Sequence, residues 1–339
     1  MQSIHSSPQT LPFAAFFGHE VQITRVYAQG RREQVAMQTR LYMDVIRATD
    51  FATHVEHLRE LEVIFSTWGM PALTFAQLEQ LPNLKIVFYA AGSVQSFARP
   101  FLERGITVVS AWQANGVPVA EFTLAQILLS NKGYFGNTRA FSSPENRRHA
   151  PAGPGNFGAT LALLGAGAIG RKVIELLRPF HLKILVFDPF LSEESALQLG
   201  VEKVELLEAF ARANVVSNHL ANLPATVEML RQEHFAAMPV GATFINTGRG
   251  QTVHEEGLIH VLQARPDLTA LLDVTHPEPP AADSPLYQLP NVHLSSHIAG
   301  SIGGEVVRMA DYVLEEFHRW QKGEALCYAV TLEMLETMA

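Results

Sequence analysis

The chain has 339 residues, 47% of them hydrophobic and 17% charged, with a formal net charge of -8. Such a length suits two domains better than one, and the balance is that of an ordinary globular protein. No run of Lys and Arg exceeds a pair (Arg31-Arg32, Arg147-Arg148), which argues against nucleic acid or an acidic membrane as the main partner. The one cysteine, Cys327, excludes an intrachain disulfide and fits a reducing compartment. The opening "MQSIHSSPQTLPFAAFFGHE" lacks a basic start and does not read as a signal peptide. No stretch approaches the ~20 apolar residues of a membrane helix. The expectation is a cytoplasmic enzyme with no membrane or nucleic-acid partner.

In chain order, "EVIFST" (62–67), "LKIVFYA" (84–90) and "ITVVSA" (106–111) look like buried parallel strands. A long, mostly apolar helix follows at "VPVAEFTLAQILLSNKG" (117–133). Residues 133–158 are rich in Gly, Pro, Ser, Asn and Arg. That segment reads as an exposed connection or as an arm reaching a second subunit. Six more strand candidates come next: "ATLALLG", "LKILVFD", "NVVSNHL", "ATFINTG", "TALLDV" and "VHLSSH". Strands separated by helical or loop segments predict a doubly wound parallel sheet. In "EVVRMADYVLEEFHRWQKGE", Val306, Ala310, Val313, Phe317 and Trp320 fall on one helical face. That helix is expected to return to the first domain. The fold class is therefore α/β with two doubly wound parallel-sheet domains. A Rossmann-type domain at 133–300 is inserted in a flavodoxin-like domain made of 1–132 plus 301–339.

"ALLGAGAIGRKV" holds Gly165, Gly167 and Gly170 in a G-x-G-x-x-G pattern. The spacing alone is weak evidence, since Gly and Ala are common. Its context is a strand before it, a helix after it, and a second strand ending at Asp188. This is the order that a dinucleotide fingerprint needs. Gly165 would permit the tight turn, Gly167 the approach of the pyrophosphate, and Gly170 the packing of helix on strand. Asp188 would accept the ribose hydroxyls and repel a 2′-phosphate, so NAD is the expected cofactor. The competing reading is a plain glycine turn with a solvated Asp beyond it. "HLSSH" (293–297) has the spacing of a metal pair. That pair needs a helix, and the run looks like a strand, so no metal is expected.

From about residue 83 to 325 the chain resembles the D-isomer-specific 2-hydroxyacid dehydrogenases. The resemblance rests on "NLKIVFYAAGSV", "RGITVVSAWQANGVPVAEFTLAQIL", "LLGAGAIGRKV", "VFDPF", "MPVGATFINTGRGQTVHEEGL", "LLDVTHPEP" and "DSPLYQLPNVHLSSHIAG", in the family's order and spacing. The first eighty residues match only in outline. The resemblance implies three catalytic roles. Arg249 in "NTGRG" would grip the substrate carboxylate and keto oxygen, Glu278 in "DVTHPEP" would hold the histidine, and His297 in "SSHIAG" would be the acid/base. Taken singly, these could be a surface arginine, a loop charge and a strand-end histidine. The resemblance also places Ala91, Gly92 and Ser93 on the substrate carboxylate, in a cleft between the domains. It lines the cofactor with Ala168, Ile169, His219, Leu220, Ala221, Thr226, Thr247, Gly248, Asp273 and Gly300, and it implies a homodimer.

The residue types suit the chemistry. Reducing a 2-keto acid takes a hydride at C2 and a proton on oxygen. An imidazolium can give that proton, and a neighbouring carboxylate favours the charged ring and fixes its tautomer. An arginine pairs bidentately with a carboxylate where lysine cannot.

The chain departs from the family pattern at "QSFARP" after "AAGSV", at Phe122, Ala221, Gly248 and His254, and at Ser296. Phe122 and the "QSFARP" run bear on substrate identity. His276 is expected to face solvent. Formate dehydrogenase is disfavoured because its histidine partner is Gln. A serine-pathway phosphoglycerate dehydrogenase is disfavoured because 339 residues leave no room for the usual regulatory domain. From another functional class, an NAD-sensing corepressor of the same fold keeps the same three residues.

Overall fold

Each apolar run named above carries a strand, trimmed at its ends. The structure, a computed structural model, describes residues 11–338. The signal-peptide reading of the first twenty residues thus lies partly outside the described residues. Its apolar "FAAFF" is β1 (Phe13–Phe17). The other strands, in chain order, are β2 (Arg40–Leu41), β3 (Val63–Ser66), β4 (Ile86–Tyr89), β5 (Thr107–Ser110), β6 (Thr160–Leu164), β7 (Lys183–Phe187), β8 (Glu202–Lys203), β9 (Val215–Asn218), β10 (Thr243–Asn246), β11 (Thr269–Leu272), β12 (Val292–Leu294) and β13 (Ala329–Val330).

The chain divides into two units. Residues up to Asn115 with Ile302–Thr337 form one, and Gly116–Ser301 form the other. The first border falls inside the helix Trp112–Asn131, whereas the composition shift predicts it at 132/133. The shift at 133 marks the end of that helix. No change of composition marks 115/116, because the helix runs through it.

The first unit holds a sheet in the order β13-β5-β4-β3-β1-β2. All its pairings are parallel except β13 against β5. Without β13 this is the flavodoxin-like order 2-1-3-4-5. The helix Val307–Lys322 buries Ala310, Val313 and Phe317. Phe317 packs edge-on against Phe65 at 5.1 Å and Phe88 at 5.5 Å between ring centroids, within the range favoured by aromatic pairs.

The second unit's sheet is β12-β11-β10-β9-β6-β7-β8, wholly parallel. Counted from β6 this is the Rossmann order 3-2-1-4-5-6 with one strand added. Side chains alternate across it, as the pleat requires. Ala162, Leu164, Val216 and Phe244 go to one core, and Leu161, Leu163, Val215 and Ile245 to the other. Ala120 and Ile127 of the long helix join the second core. Residues 133–158 are more ordered than a plain connection. They hold the helix Tyr134–Ala140, and Arg139 donates to the carbonyls of Pro290 (2.7 Å) and Pro266 (3.2 Å). Among the described residues no helix is long and apolar enough to cross a membrane.

Candidate active site

Open parallel sheets bind ligands at the carboxyl ends of their strands, where the strand order reverses. In the second unit that point lies between β6 and β9. Gly165, directly after β6, has φ +97°, and a Cβ there would lie 2.9 Å from the His219 carbonyl oxygen. Only glycine suits that backbone and that gap. A Cβ on Gly170 would lie 2.1 Å from the Gly165 carbonyl oxygen, so the helix sits directly on the turn. Gly167 differs, because nothing lies within 4 Å of the Cβ it lacks. It precedes the helix Ala168–Leu177, whose first turn, including Ile169, has no side-chain cap. Open space before uncapped N–H groups is what a phosphate needs.

Asp188 is tied into this loop. Its Oδ2 accepts the Ala166 N–H at 2.7 Å and its Oδ1 the Phe190 N–H at 2.8 Å. Arg171 Nε donates to the Ala166 carbonyl at 2.8 Å, so Ala166, between the first two glycines, is held through both its N–H and its carbonyl. Arg171 was not singled out from the sequence, because its partner is a backbone atom.

The loop after β9 holds His219, Leu220 and Ala221. Burial pushes the His219 imidazole down to about 4. Its Nε2 lies 3.0 Å from Ser217 Oγ, and its buried Nδ1 has no hydrogen-bond partner among the described residues. Thr226 closes the following turn, its hydroxyl donating to the Ala221 carbonyl at 2.6 Å.

The turn after β10 carries Thr247, Gly248 and Arg249. Three buried polar residues clamp it. Asn218 Nδ2 donates to Asn246 Oδ1 (3.0 Å) and to Thr252 Oγ1 (2.8 Å). Asn246 Oδ1 accepts the Gly248 N–H at 3.1 Å, and Thr252 Oγ1 donates to the Arg249 carbonyl at 2.8 Å. Such satisfied internal networks fix one backbone arrangement. No sequence pattern marks them, because Asn218 and Asn246 end two different strands and Thr252 lies in the short helical turn that follows the second. Thr247 Oγ1 sits 3.2 Å from Thr123 Oγ1 of the long helix. Gly248 is glycine because a Cβ would crowd the Asn218 carbonyl oxygen at 3.1 Å. Gly250 is the tightest case, with a Cβ landing 2.0 Å from the Thr275 carbonyl carbon and oxygen. Neither of these two glycines has positive φ. Both are needed for close approach. The arginine turn is thereby pressed onto the loop that carries Glu278.

Arg249 is half-buried, and Nη1 donates to the Gly248 carbonyl at 2.8 Å. Burial lowers its pKa, and the Glu278 charge partly offsets this. Glu278 Oε1 lies 2.6 Å from His297 Nδ1, and both side chains are about half exposed. An ionised carboxylate only accepts, so Nδ1 donates and Nε2 is the free nitrogen. His297 holds φ +58°, a left-handed backbone rare outside glycine. Asp273, 2% exposed, holds that turn. Its Oδ1 accepts Ser295 Oγ (2.6 Å) and Ile298 N–H (2.8 Å), its Oδ2 accepts Ala299 N–H (2.9 Å), and its carbonyl accepts the His297 N–H (3.0 Å). The carboxylate expected to line the cofactor is thus engaged in shaping the turn between Ser295 and Gly300. Ser295 is a site residue that the sequence reading passed over.

Two other histidines are accounted for. His276 is exposed, and its N–H donates to Glu255 at 3.3 Å. His254 caps the helix Glu255–Ala264, its Nδ1 accepting the Gly257 N–H at 3.1 Å. That is the capping work for which Asp, Asn, Ser and Thr are the usual residues.

In the first unit, Ala91, Gly92 and Ser93 follow β4. Thr67 Oγ1 donates to the Ala90 carbonyl (2.7 Å), and Ser110 Oγ lies within donating distance of the carbonyls of Ala91 (3.0 Å) and Gly92 (2.6 Å). A Cβ on Gly92 would meet Asn115 Nδ2 at 3.2 Å. Successive carbonyls are thus held by hydroxyls of the sheet edge.

The family model for "D-isomer specific 2-hydroxyacid dehydrogenase, NAD binding domain" matches residues 125–299. The chain is 29% identical over 260 residues to D-3-phosphoglycerate dehydrogenase of Archaeoglobus fulgidus, covering 76% of this chain and 49% of that protein. It is 30% identical over 254 residues to the Bacillus subtilis enzyme of the same name, covering 75% and 48%. The chain therefore spans about half the length of these curated relatives. Among solved structures, D-mandelate dehydrogenase of Rhodotorula graminis matches with TM-score 0.79 and 20% identity over 94% of this chain and 97% of that one. A phosphoglycerate oxidoreductase from Rhizobium etli matches with TM-score 0.77 and 23% identity over 94% and 98%. At those identities the structural likeness speaks for the fold. The chain belongs to the D-isomer specific 2-hydroxyacid dehydrogenase family, and its second unit contains the family's NAD-binding domain.

Proposed function

We propose that the protein is an NAD-dependent oxidoreductase that interconverts a 2-keto acid and a D-2-hydroxy acid. The observation that carries this reading is the 2.6 Å contact between His297 Nδ1 and Glu278 Oε1. It spends Nδ1 on a carboxylate and leaves Nε2 to exchange a proton with substrate. NADH, when bound, supplies the hydride that C2 receives. In that direction His297 as imidazolium gives its Nε2 proton to the keto oxygen. In the reverse direction neutral His297 takes the hydroxyl proton. Arg249 binds the substrate carboxylate through its planar fork and stabilises charge growing on the keto oxygen. The tie from its Nη1 to the Gly248 carbonyl orients that fork.

The Gly165–Gly170 loop would cradle the pyrophosphate, and Asp188 would take the ribose hydroxyls with lone pairs not used by Ala166 and Phe190. A 2′-phosphate would meet a fixed carboxylate there, so NAD is favoured over NADP. In the first unit, with carbonyls held by Thr67 and Ser110, the loop Ala91–Ser93 would offer its amides to the substrate carboxylate. A homodimer is part of this reading, to be checked by light scattering.

The test is NADH and NADPH oxidation with glyoxylate, hydroxypyruvate, pyruvate and bulkier aryl pyruvates. Turnover of at least one, with NADH preferred, is expected. Tight NADH binding without turnover of any keto acid would replace this reading with a nicotinamide-sensing binding protein. If NADPH proved the better cofactor, the role given to Asp188 would be wrong.

A further inference from the structure

The loop that carries Glu278 has little backbone of its own to hold it. Of residues 275–280, Pro277, Pro279 and Pro280 offer no N–H. The His276 N–H, two residues before Glu278, is taken by Glu255 Oε2 at 3.3 Å. Glu255 opens the helix Glu255–Ala264, which begins shortly after the Arg249 turn. The segment 250–255 therefore meets the start of the Glu278 loop twice. Gly250 presses on Thr275, and Glu255 holds His276. Within the loop, Thr275 Oγ1 donates to the Pro277 carbonyl at 2.9 Å. That brace spans His276, so a shift there passes to Glu278 with little slack. Beyond Glu278, the Tyr287 hydroxyl donates to the Pro280 carbonyl at 3.3 Å.

Glu255 is poorly explained as a helix-start charge alone. The helix dipole favours an acid in this first turn, and the exposed Glu256 already provides one. Glu255 is half-buried, and burial raises its pKa above the ordinary glutamate value, with His276 offsetting part of the rise. Among the described residues no Lys or Arg pairs with it, and the hydrogen bond it accepts comes from the His276 N–H. A carboxylate that loses water without gaining a cation adds little to stability. What it gains is a charge-assisted bond to the loop, one of the stronger kind.

We propose that Glu255 is a positioning residue for the acid/base pair: its carboxylate holds the His276 N–H and so keeps Glu278 on His297. The inference rests on the roles given to Glu278 and His297 above.

The test compares the parent, Glu255→Ala and Glu255→Gln as full chains, with NADH and the keto acid of the panel above that the parent reduces fastest. In Glu255→Ala, kcat should fall about tenfold, as for a lost hydrogen bond to a charged group, while NADH affinity stays within a few-fold. A carboxylate beside an imidazole favours its charged form, so when Glu278 drifts the proton donor is lost at lower pH. The pH above which reduction falls off should therefore move down by about half a unit to one unit. The same downward move should appear without cofactor in the NMR titration of the His297 ring, whose signal is assigned by its loss in His297→Gln. Glu255→Gln keeps an acceptor at the same reach and should recover most of the rate and of the pH profile. Parent-like kcat in Glu255→Ala, equal losses in the two variants, or a slower rate with the pH profile and ring titration unmoved would overturn the inference and leave the keto acid reading standing. If the parent reduced no keto acid, that reading would fall, and the ring titration would by itself decide whether Glu255 sets the pair.

Discussion

The loops of the second unit that are proposed to be catalytic and the first turn of the helix Val307–Lys322 in the first unit treat charge in opposite ways. In the second unit every charged side chain proposed to act already has a protein partner. Arg249 is tied to the Gly248 carbonyl, His297 to Glu278, and Asp273 to the turn around His297. In that turn of the first unit, Arg308 Nη1 is buried with none among the described residues. The difference teaches that the groups proposed to act are tied down by their own chain, whereas a half-buried cation elsewhere is not. Groups that move a proton or bind the invariant carboxylate must be held at one geometry before substrate arrives.

The comparison can be broken at several points. His297→Gln keeps a side chain near Glu278 but cannot donate a titrating proton, so keto acid reduction should fall by about a hundredfold to ten-thousandfold with NADH binding retained. Turnover within a few-fold of the parent would remove His297 from the chemistry. Arg249→Lys should cost about a hundredfold to a thousandfold in kcat/KM, because an ammonium cannot reproduce the fork. Near-normal rates would return Arg249 to an ordinary half-buried cation.

Gly250→Ala tests whether the two loops of the second unit depend on direct backbone contact. With a Cβ placed 2.0 Å from Thr275, something must shift, and a loss of about 1–3 kcal/mol in urea unfolding is expected. Turnover should fall with it, since the Arg249 turn and the Glu278 loop would part. An alanine variant as stable as the parent would show that the contact is dispensable.

The smallest effect concerns His219, where the second unit has an unmatched atom of its own. Its imidazole ordinarily titrates near 6.5 and is pushed down to about 4 by burial. Between those values the unfolded chain takes up a proton that the folded chain refuses, so stability falls as pH drops from about 6.5 through about 4 and is fully present above that window. His219→Asn should flatten that part of the stability profile relative to the parent. Parallel profiles for parent and variant would show that His219 does not contribute.

Legibility followed the range of the interactions. The glycine spacing, the strand before it and Asp188 are local, and the structure finds the turn, the gap and the helix start where that pattern put them. Arg249, Glu278 and His297 came to notice through the family resemblance, and the structure brings Glu278 to within 2.6 Å of His297. The clamp residues Asn218, Asn246 and Thr252, and Ser295 beside Asp273, were not legible, since a polar residue at a strand end or in a turn is unremarkable until its distant partner is known. Four strands also escaped. β2, β8 and β13 are two-residue edge strands, defined by their neighbours and without a pattern of their own. β1 had a usable signal, the apolar run between Pro12 and Gly18, which was weighed only as a leader.

By itself the sequence determined the α/β class, most of the strands and the glycine loop, because periodicity and turn residues act over a few positions. The tertiary structure decided what those residues touch. It set the border at 115/116 inside an unbroken helix, gave Gly248 and Gly250 a reason in close backbone approach, and turned Asp273 toward the His297 turn. It also left Arg308 Nη1 without a hydrogen-bond partner among the described residues. Each of these depends on atoms far apart in the chain, and only packing brings those together.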